Sequence, residues 1–243
     1  MEPDAPPVSP RLWERTLDLE KEPVLALSVR RPAFPEKGAL RRVERYFSHC
    51  TLLLREQWES VLYKKLCQAR REDEMFLPWQ AGLNYTVTYW EPPLLSLRLE
   101  ITHSDQLHRP RLWCVGETWD CAQGRPRPLS SFFPGNRRWR RQLLAQLTEQ
   151  ARRRVASGET LLHPDCPETV RRQFDPDRFY LTGEGLALFY PMYLLGPYAE
   201  GIPVFTVPLS LTGTAPPPGQ ELPGGDTAPE GAHSGDTPGP APP

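Results

Sequence analysis

The chain has 243 residues, of which 39% are hydrophobic and 24% charged, with a formal net charge of −1. That is enough chain for one substantial domain or two small ones with a sizeable core. Near-neutrality demands neither a nucleic-acid nor a membrane partner and argues against strong phosphate binding.

Residues 1–11 read as a flexible N-terminus. Trp13 to Leu19 and Val24 to Arg30 alternate apolar and polar positions and predict two half-buried strands, the second ended by Pro32 and Pro35. From Ala39 to Arg71 the positions Leu40, Val43, Phe47, Cys50, Leu54, Trp58 and Val61 step by three or four, which predicts one long helix lying on a sheet. Asn84 to Trp90 and Leu95 to Ile101 are strands separated by a Glu91-Pro92-Pro93 turn, and Leu112 to Cys121 is the next strand. Gln123-Gly124 turns the chain into Leu129 to Phe133.

A second helix starts after Asn136, its cap, with Trp139, Leu143, Leu147, Ala151 and Val155 on one stripe and Gly158 as a left-handed stop. Glu168 to Phe174 reads as a short helix. Phe179 to Leu209 then reads as a strand, a tight Thr182-Gly183-Glu184-Gly185 turn, a strand, an aromatic and proline-rich loop and a closing strand. Gly213 to Pro243 holds nine Pro, seven Gly, four acids, and no Lys, Arg or aromatic residue. Such a segment buries too little apolar surface to offset its ordering entropy, so a disordered tail is expected.

The expectation is an α+β fold, with an antiparallel-rich sheet and two long helices packed on one face. The chain divides into residues 12–80 (strand, strand, helix), residues 81–212, and the tail 213–243. The N-terminus lacks the cationic start and apolar run of a secretory signal. The longest apolar stretch, Gly185 to Tyr198, is broken by Pro191 and Pro197 and is too short to span a bilayer. A cytoplasmic location follows by default. Cys50, Cys67, Cys114, Cys121 and Cys166 are odd in number and scattered, so reduced thiols are expected.

Three segments together resemble the C-terminal domain of RsiV-type anti-sigma factors, the domain of unknown function 3298. They are Glu117-Thr118-Trp119-Asp120 through Pro128-Leu129-Ser130-Ser131-Phe132-Phe133, the helix from Asn136, and Phe179-Tyr180-Leu181 through Phe189-Tyr190-Pro191, Tyr193, Gly196-Pro197-Tyr198 and Gly201-Ile202-Pro203. Residues 12–80 are similar to the companion segment also found in PdaC-type deacetylases. The resemblance implies an α+β binding module, which in the best-known members captures lysozyme outside the cell. The chain shows neither a membrane span nor a recognisable sigma-binding segment, so an anti-sigma role is not carried over.

Two surfaces stand out. Tyr190, Pro191, Tyr193, Pro197 and Tyr198 form a loop suited to recognition, because proline pre-orders backbone and tyrosine combines apolar area with a polar tip. The alternative is that these tyrosines close the core. Arg137, Arg138, Arg140 and Arg141 crowd the second helix's N-terminus, where the macrodipole disfavours them. They form either a solvated face paired with the chain's own acids or, with Trp139 as a stacking ring, a nucleic-acid surface. His103, His108, Cys114, Cys121, His163 and Cys166 show no tight metal spacing. Glu117 and Asp120, an odd number of residues apart, face opposite sides of their strand. No catalytic group, metal or cofactor is expected. The leading reading is a non-catalytic module that binds a protein or cell-envelope-related ligand. The alternatives are an accessory to a cell-envelope hydrolase and a nucleic-acid binder.

Overall fold

The computed structural model describes residues 5–73, 76–104 and 110–209. The expected tail and His108 lie outside the described residues. Strands β1 (Ser9–Leu19) and β2 (Glu22–Ala33) form a hairpin whose turn residues Glu20 and Lys21 both have positive φ, the backbone a two-residue hairpin of this twist requires. Strand β1 starts at Ser9, four residues ahead of the expected Trp13.

A long helical segment follows: α1 (Leu40–Gln57), a π-helical turn (Trp58–Leu62) and α2 (Tyr63–Glu72). The π turn adds one residue to the helical period. The buried stripe consequently runs from Val43 and Phe47 to Trp58 and then to Leu62 and Leu66, leaving Val61 63% exposed. Cys50 is exposed too, because Thr51 takes the inward position beside it.

Strands β3 (Trp79–Glu91), β4 (Leu94–Ser104), β5 (Arg111–Asp120) and the short β6 (Arg125–Pro126) complete a six-stranded sheet in the order β1-β2-β3-β4-β5-β6. Every pair is antiparallel except β2–β3, which the intervening helix makes parallel. The boundary expected between residues 80 and 81 falls inside β3. The turn between β3 and β4 contains a cis Pro92–Pro93 bond.

Helices α3 (Trp139–Ser157) and α4 (Cys166–Arg172) precede a second, three-stranded antiparallel sheet of β7 (Phe179–Thr182), β8 (Gly185–Phe189) and β9 (Val204–Val207). Asn136 does not cap α3. Its Oδ1 accepts the Arg138 N–H at 3.0 Å in the turn before the helix, and Arg138 is the N-cap without a side-chain bond. Gly158 ends α3 with φ of 68°.

The strands thus divide between two sheets, so each long helix covers a sheet face of its own. One face of the large sheet carries Leu25, Leu27, Leu83, Leu97 and Trp119 against α1 and α2. On its other face Ser96 Oγ accepts the Leu181 N–H of β7 at 2.9 Å. The small sheet's far face (Leu181, Leu186, Leu188, Phe205) packs on Leu143, Leu147 and Ala151 of α3. The result is four layers: helix, six-stranded sheet, three-stranded sheet, helix. The two sheets approach closely at Gly116, where a Cβ would sit 1.8 Å from the Phe179 carbonyl oxygen.

Candidate functional site

The loop from Tyr190 to Pro203 joins β8 to β9 and is tied down along its length. Tyr190 N–H bonds Pro203 O at 3.0 Å across the base, and Leu194 N–H bonds Pro191 O at 3.2 Å. His163 N–H reaches Leu195 O at 2.8 Å, and Leu161 N–H reaches Glu200 Oε2 at 2.7 Å, so the α3–α4 connection also holds the loop. These bonds fix the loop at its base and at Leu194, Leu195 and Glu200, which lowers the ordering entropy a ligand would have to meet.

The three tyrosines part company. Tyr190 is buried; its hydroxyl donates to Val170 O at 2.9 Å, and burial pushes its pKa well above the ordinary range. Tyr193 is 55% exposed and has φ of 68°, a left-handed conformation costing a non-glycine residue about 1–2 kcal/mol. Tyr198 is half-buried, its ring 6.1 Å from that of Tyr193. Pro191 and Pro197 are exposed.

Tyr193 and Pro191 line a cleft of about 490 Å³. Its other wall is the start of β5, Arg111 to Cys114; Pro197 and Tyr198 stand outside it. The cleft opens on the outer edge of β5. Cys121 N–H bonds Pro93 O toward β4, whereas Thr118 O accepts the Arg127 N–H from the opposite side. By strand alternation the N–H and C=O of Leu112, Cys114 and Gly116 point outward. Among the described residues, β6 pairs only with Trp119 and Asp120.

A second groove, of about 370 Å³, lies on the other side of that edge. Tyr46, Cys50 and Leu53 of α1 face Val115 and Glu117 of β5 across it. Glu117 accepts from Tyr46 Oη at 2.5 Å and from Trp119 Nε1 at 3.0 Å. Burial raises its pKa, and these two bonds only partly oppose that. Asp120, on the opposite face, accepts the Gln123 N–H at 3.0 Å and shapes the turn into β6. The two carboxylates do not converge.

At the end of this groove Trp58 Nε1–H donates to His103 Nε2 at 2.6 Å, which requires a neutral imidazole. Burial, then the nearby Arg111 charge, lowers the His103 pKa from 6.5. A histidine whose folded pKa is depressed contributes stability above its unfolded pKa and loses it as pH falls toward the folded value. The chain is therefore expected to lose stability on acidification below about pH 6.5. His103→Gln, which keeps an acceptor without titrating, should flatten that part of the curve; urea melts between pH 5 and 8 measure the difference.

Arg137, Arg138, Arg140 and Arg141 are brought together with Arg152 and Arg171 around a shallow basin of about 760 Å³. Pairing with the chain's own acids is seen for Arg152 and Arg153, both on Glu149. Among the described residues no carboxylate pairs with the first four. Trp139 stacks on Phe133, with ring centroids 5.1 Å apart, and packs against the core, so it is no free ring for a base.

Burial pushes the Cys114 thiol up to about 12 and the Cys121 and Cys166 thiols up to about 11, which keeps all three protonated near neutrality. No disulfide joins the five cysteines. Among the described residues no group of three His, Cys, Asp or Glu side chains is placed to hold a metal ion, and no helix is long and apolar enough to cross a membrane. What sequence reasoning missed is the β5 edge. Its alternation of Trp113, Val115 and Glu117 marked a strand, but nothing local said that no neighbour would cover it.

Residues 130–210 match the family described as "Protein of unknown function (DUF3298)". A crystal structure of a DUF3298 family member from Bacteroides fragilis is 14% identical, with 86% of this chain and 94% of that one covered at a TM-score of 0.59. A DUF3298 family protein from Pseudomonas aeruginosa is 15% identical, with 86% and 93% covered at 0.61. At these identities the likeness is one of fold, and it extends well beyond the matched segment. No curated protein matches the chain.

Proposed function

We propose that this chain is a binding module, not an enzyme, and that it holds a protein or cell-envelope-related ligand in the cleft between the Tyr/Pro loop and β5. The observation that carries the reading is Tyr193: a half-exposed aromatic side chain in a strained backbone conformation, on a loop bonded at its base and to the α3–α4 connection, lining a 490 Å³ cleft. Nature tends to retain such strain where a side chain must be presented. Matched residues 130–210 include this loop, and the RsiV-type resemblance supports a lysozyme-like protein or a glycan fragment as ligand class.

Titration of the purified chain with lysozyme and with soluble peptidoglycan fragments tests the reading. Binding to one of them is expected, weakened at least about tenfold by Tyr193→Ala, as for a central aromatic anchor. Binding that ignores Tyr193 removes the cleft's role, and no binding to either removes lysozyme-like proteins and glycan fragments as its ligands.

A further inference from the structure

Four strand edges are exposed to pairing in a protein of two open sheets, and three are defended here. Strand β1 carries Pro10 and the charged Arg11, Glu14, Arg15 and Asp18. The β9 carbonyls of Val204 and Thr206 accept from Arg154 Nη1 at 2.8 Å and Gln150 Nε2 at 2.9 Å. On β7 the Leu181 N–H is taken by Ser96 Oγ. The fourth edge, β5 from Arg111 to Glu117, has no such cover among the described residues. It is also apolar where it is open, with Trp113 44% and Val115 39% exposed.

This edge is recessed. The Tyr/Pro loop stands on one side and α1 on the other, so the open N–H and C=O groups line the bottom of a slot with a groove along each flank. An added strand would send alternate side chains into the two grooves, since neighbouring residues of a strand face opposite ways. By strand alternation the side chains on the α1 face are Arg111, Trp113, Val115 and Glu117, in that order along β5; Val115 and Glu117 line the α1 groove, and Arg111 and Trp113 also border the cleft. Charge thus runs from cationic at one end to anionic at the other, across an apolar middle.

We propose that the ligand is an extended polypeptide segment that adds to β5 as an antiparallel strand, with a basic–x–apolar–x–apolar–x–acidic pattern. This rests on the reading of the cleft as a binding site and names its ligand class. The basic residue lies opposite Glu117 and meets a carboxylate whose present bonds come from the neutral Tyr46 and Trp119 groups. The acidic residue lies opposite Arg111. Main-chain bonds to Leu112, Cys114 and Gly116 supply affinity, and the two grooves supply selectivity.

The test uses the full chain and a labelled, end-capped heptapeptide Lys-Thr-Val-Leu-Ile-Thr-Glu, whose Leu falls opposite Cys114 on the Tyr193 side. A control peptide has Lys and Glu exchanged. The first peptide is expected to bind about fivefold or more tightly than the control. Leu112→Pro, which removes one outward N–H at an edge position that tolerates proline, should weaken it about tenfold. Arg111→Glu, at an exposed side chain, leaves an acid at each end of the edge and should abolish the preference between the peptides, which keeps the test open if the proline variant does not fold. Equal binding to the Leu112→Pro protein with loss in Tyr193→Ala overturns strand addition while leaving the cleft in place. Tyr193-dependent binding of folded lysozyme or of glycan fragments, with neither peptide bound, overturns the extended-segment ligand alone. A dimer seen by light scattering that Leu112→Pro dissociates would give the edge to a second copy of the chain, and would overturn the proposed occupant.

Discussion

Glu44→Gln is expected to destabilise the fold by about 3–5 kcal/mol, the range for leaving one member of a buried ion pair without its partner. Arg31 and Glu44 are 7% and 5% exposed and meet in a two-pronged contact, Nη2 to Oε1 at 2.7 Å and Nη1 to Oε2 at 3.2 Å. Glu44 also accepts from Phe34 N–H at 2.7 Å and Ser48 Oγ at 2.9 Å, while Arg31 reaches Pro32 O at 2.8 Å. Burial by itself would raise the carboxyl pKa, but the Arg31 bond, followed by the Phe34 and Ser48 bonds, holds it below 4.5.

A carboxyl whose folded pKa is depressed contributes stability above its unfolded pKa and loses it as pH falls through the folded value. Wild-type melts should therefore show an acid limb below about pH 4.5 that Glu44→Gln reduces. Urea unfolding at pH 7 and pH 4 measures both effects. A double Arg31→Leu/Glu44→Leu variant should recover part of the loss, since the remaining cost is mainly a Phe34 N–H without its acceptor. The pair matters to function by position: it fastens α1 to β2 and so sets the wall of the groove beside β5. A change under about 1 kcal/mol in Glu44→Gln would show that the helix is not anchored there.

Gly116→Ala should cost about 3 kcal/mol or more, at the upper end for overpacking. The added methyl would lie 1.8 Å from Phe179 O and 2.6 Å from Phe179 C, both backbone atoms of β7. No rotamer change relieves such a contact; the small sheet itself must move away from the large one. Gly82→Ala is the matched control, because its nearest neighbour is the Thr102 hydroxyl at 3.0 Å, a side chain that can turn aside. It should stay within about 1 kcal/mol. Since β7 leads through β8 to the Tyr/Pro loop, a displaced small sheet should also weaken whatever binds the cleft. Thermal unfolding of the two variants, side by side, settles whether the sheets meet at Gly116.

Much of the local structure was legible because its causes are local. The alternation at Leu25, Leu27 and Val29, the four-residue spacing through Leu143, Leu147 and Ala151, and the glycine stop at Gly158 each appear where the pattern placed them. The long helix was legible in extent but not in phase. A one-residue π insertion at Trp58–Leu62 moved Val61 out and Leu62 in, and no residue there announces it. The loop tyrosines were legible as a group but not one by one. Whether each points in or out depends on distant partners: Val170 O for Tyr190, and no such acceptor among the described residues for Tyr193.

The chain's own order of residues determined which stretches become helices, strands and turns, because propensity, periodicity and proline act over a few neighbours. Only the tertiary structure decided that the strands form two sheets, that Gly116 admits β7 against β5, and that among the described residues no strand pairs with β5 from Arg111 to Thr118 on its outer edge. Strand pairing joins residues as far apart as Val29 and Leu83, a single hydroxyl ties Ser96 to Leu181 between the sheets, and a backbone group carries no mark in the sequence of whether a distant partner will reach it.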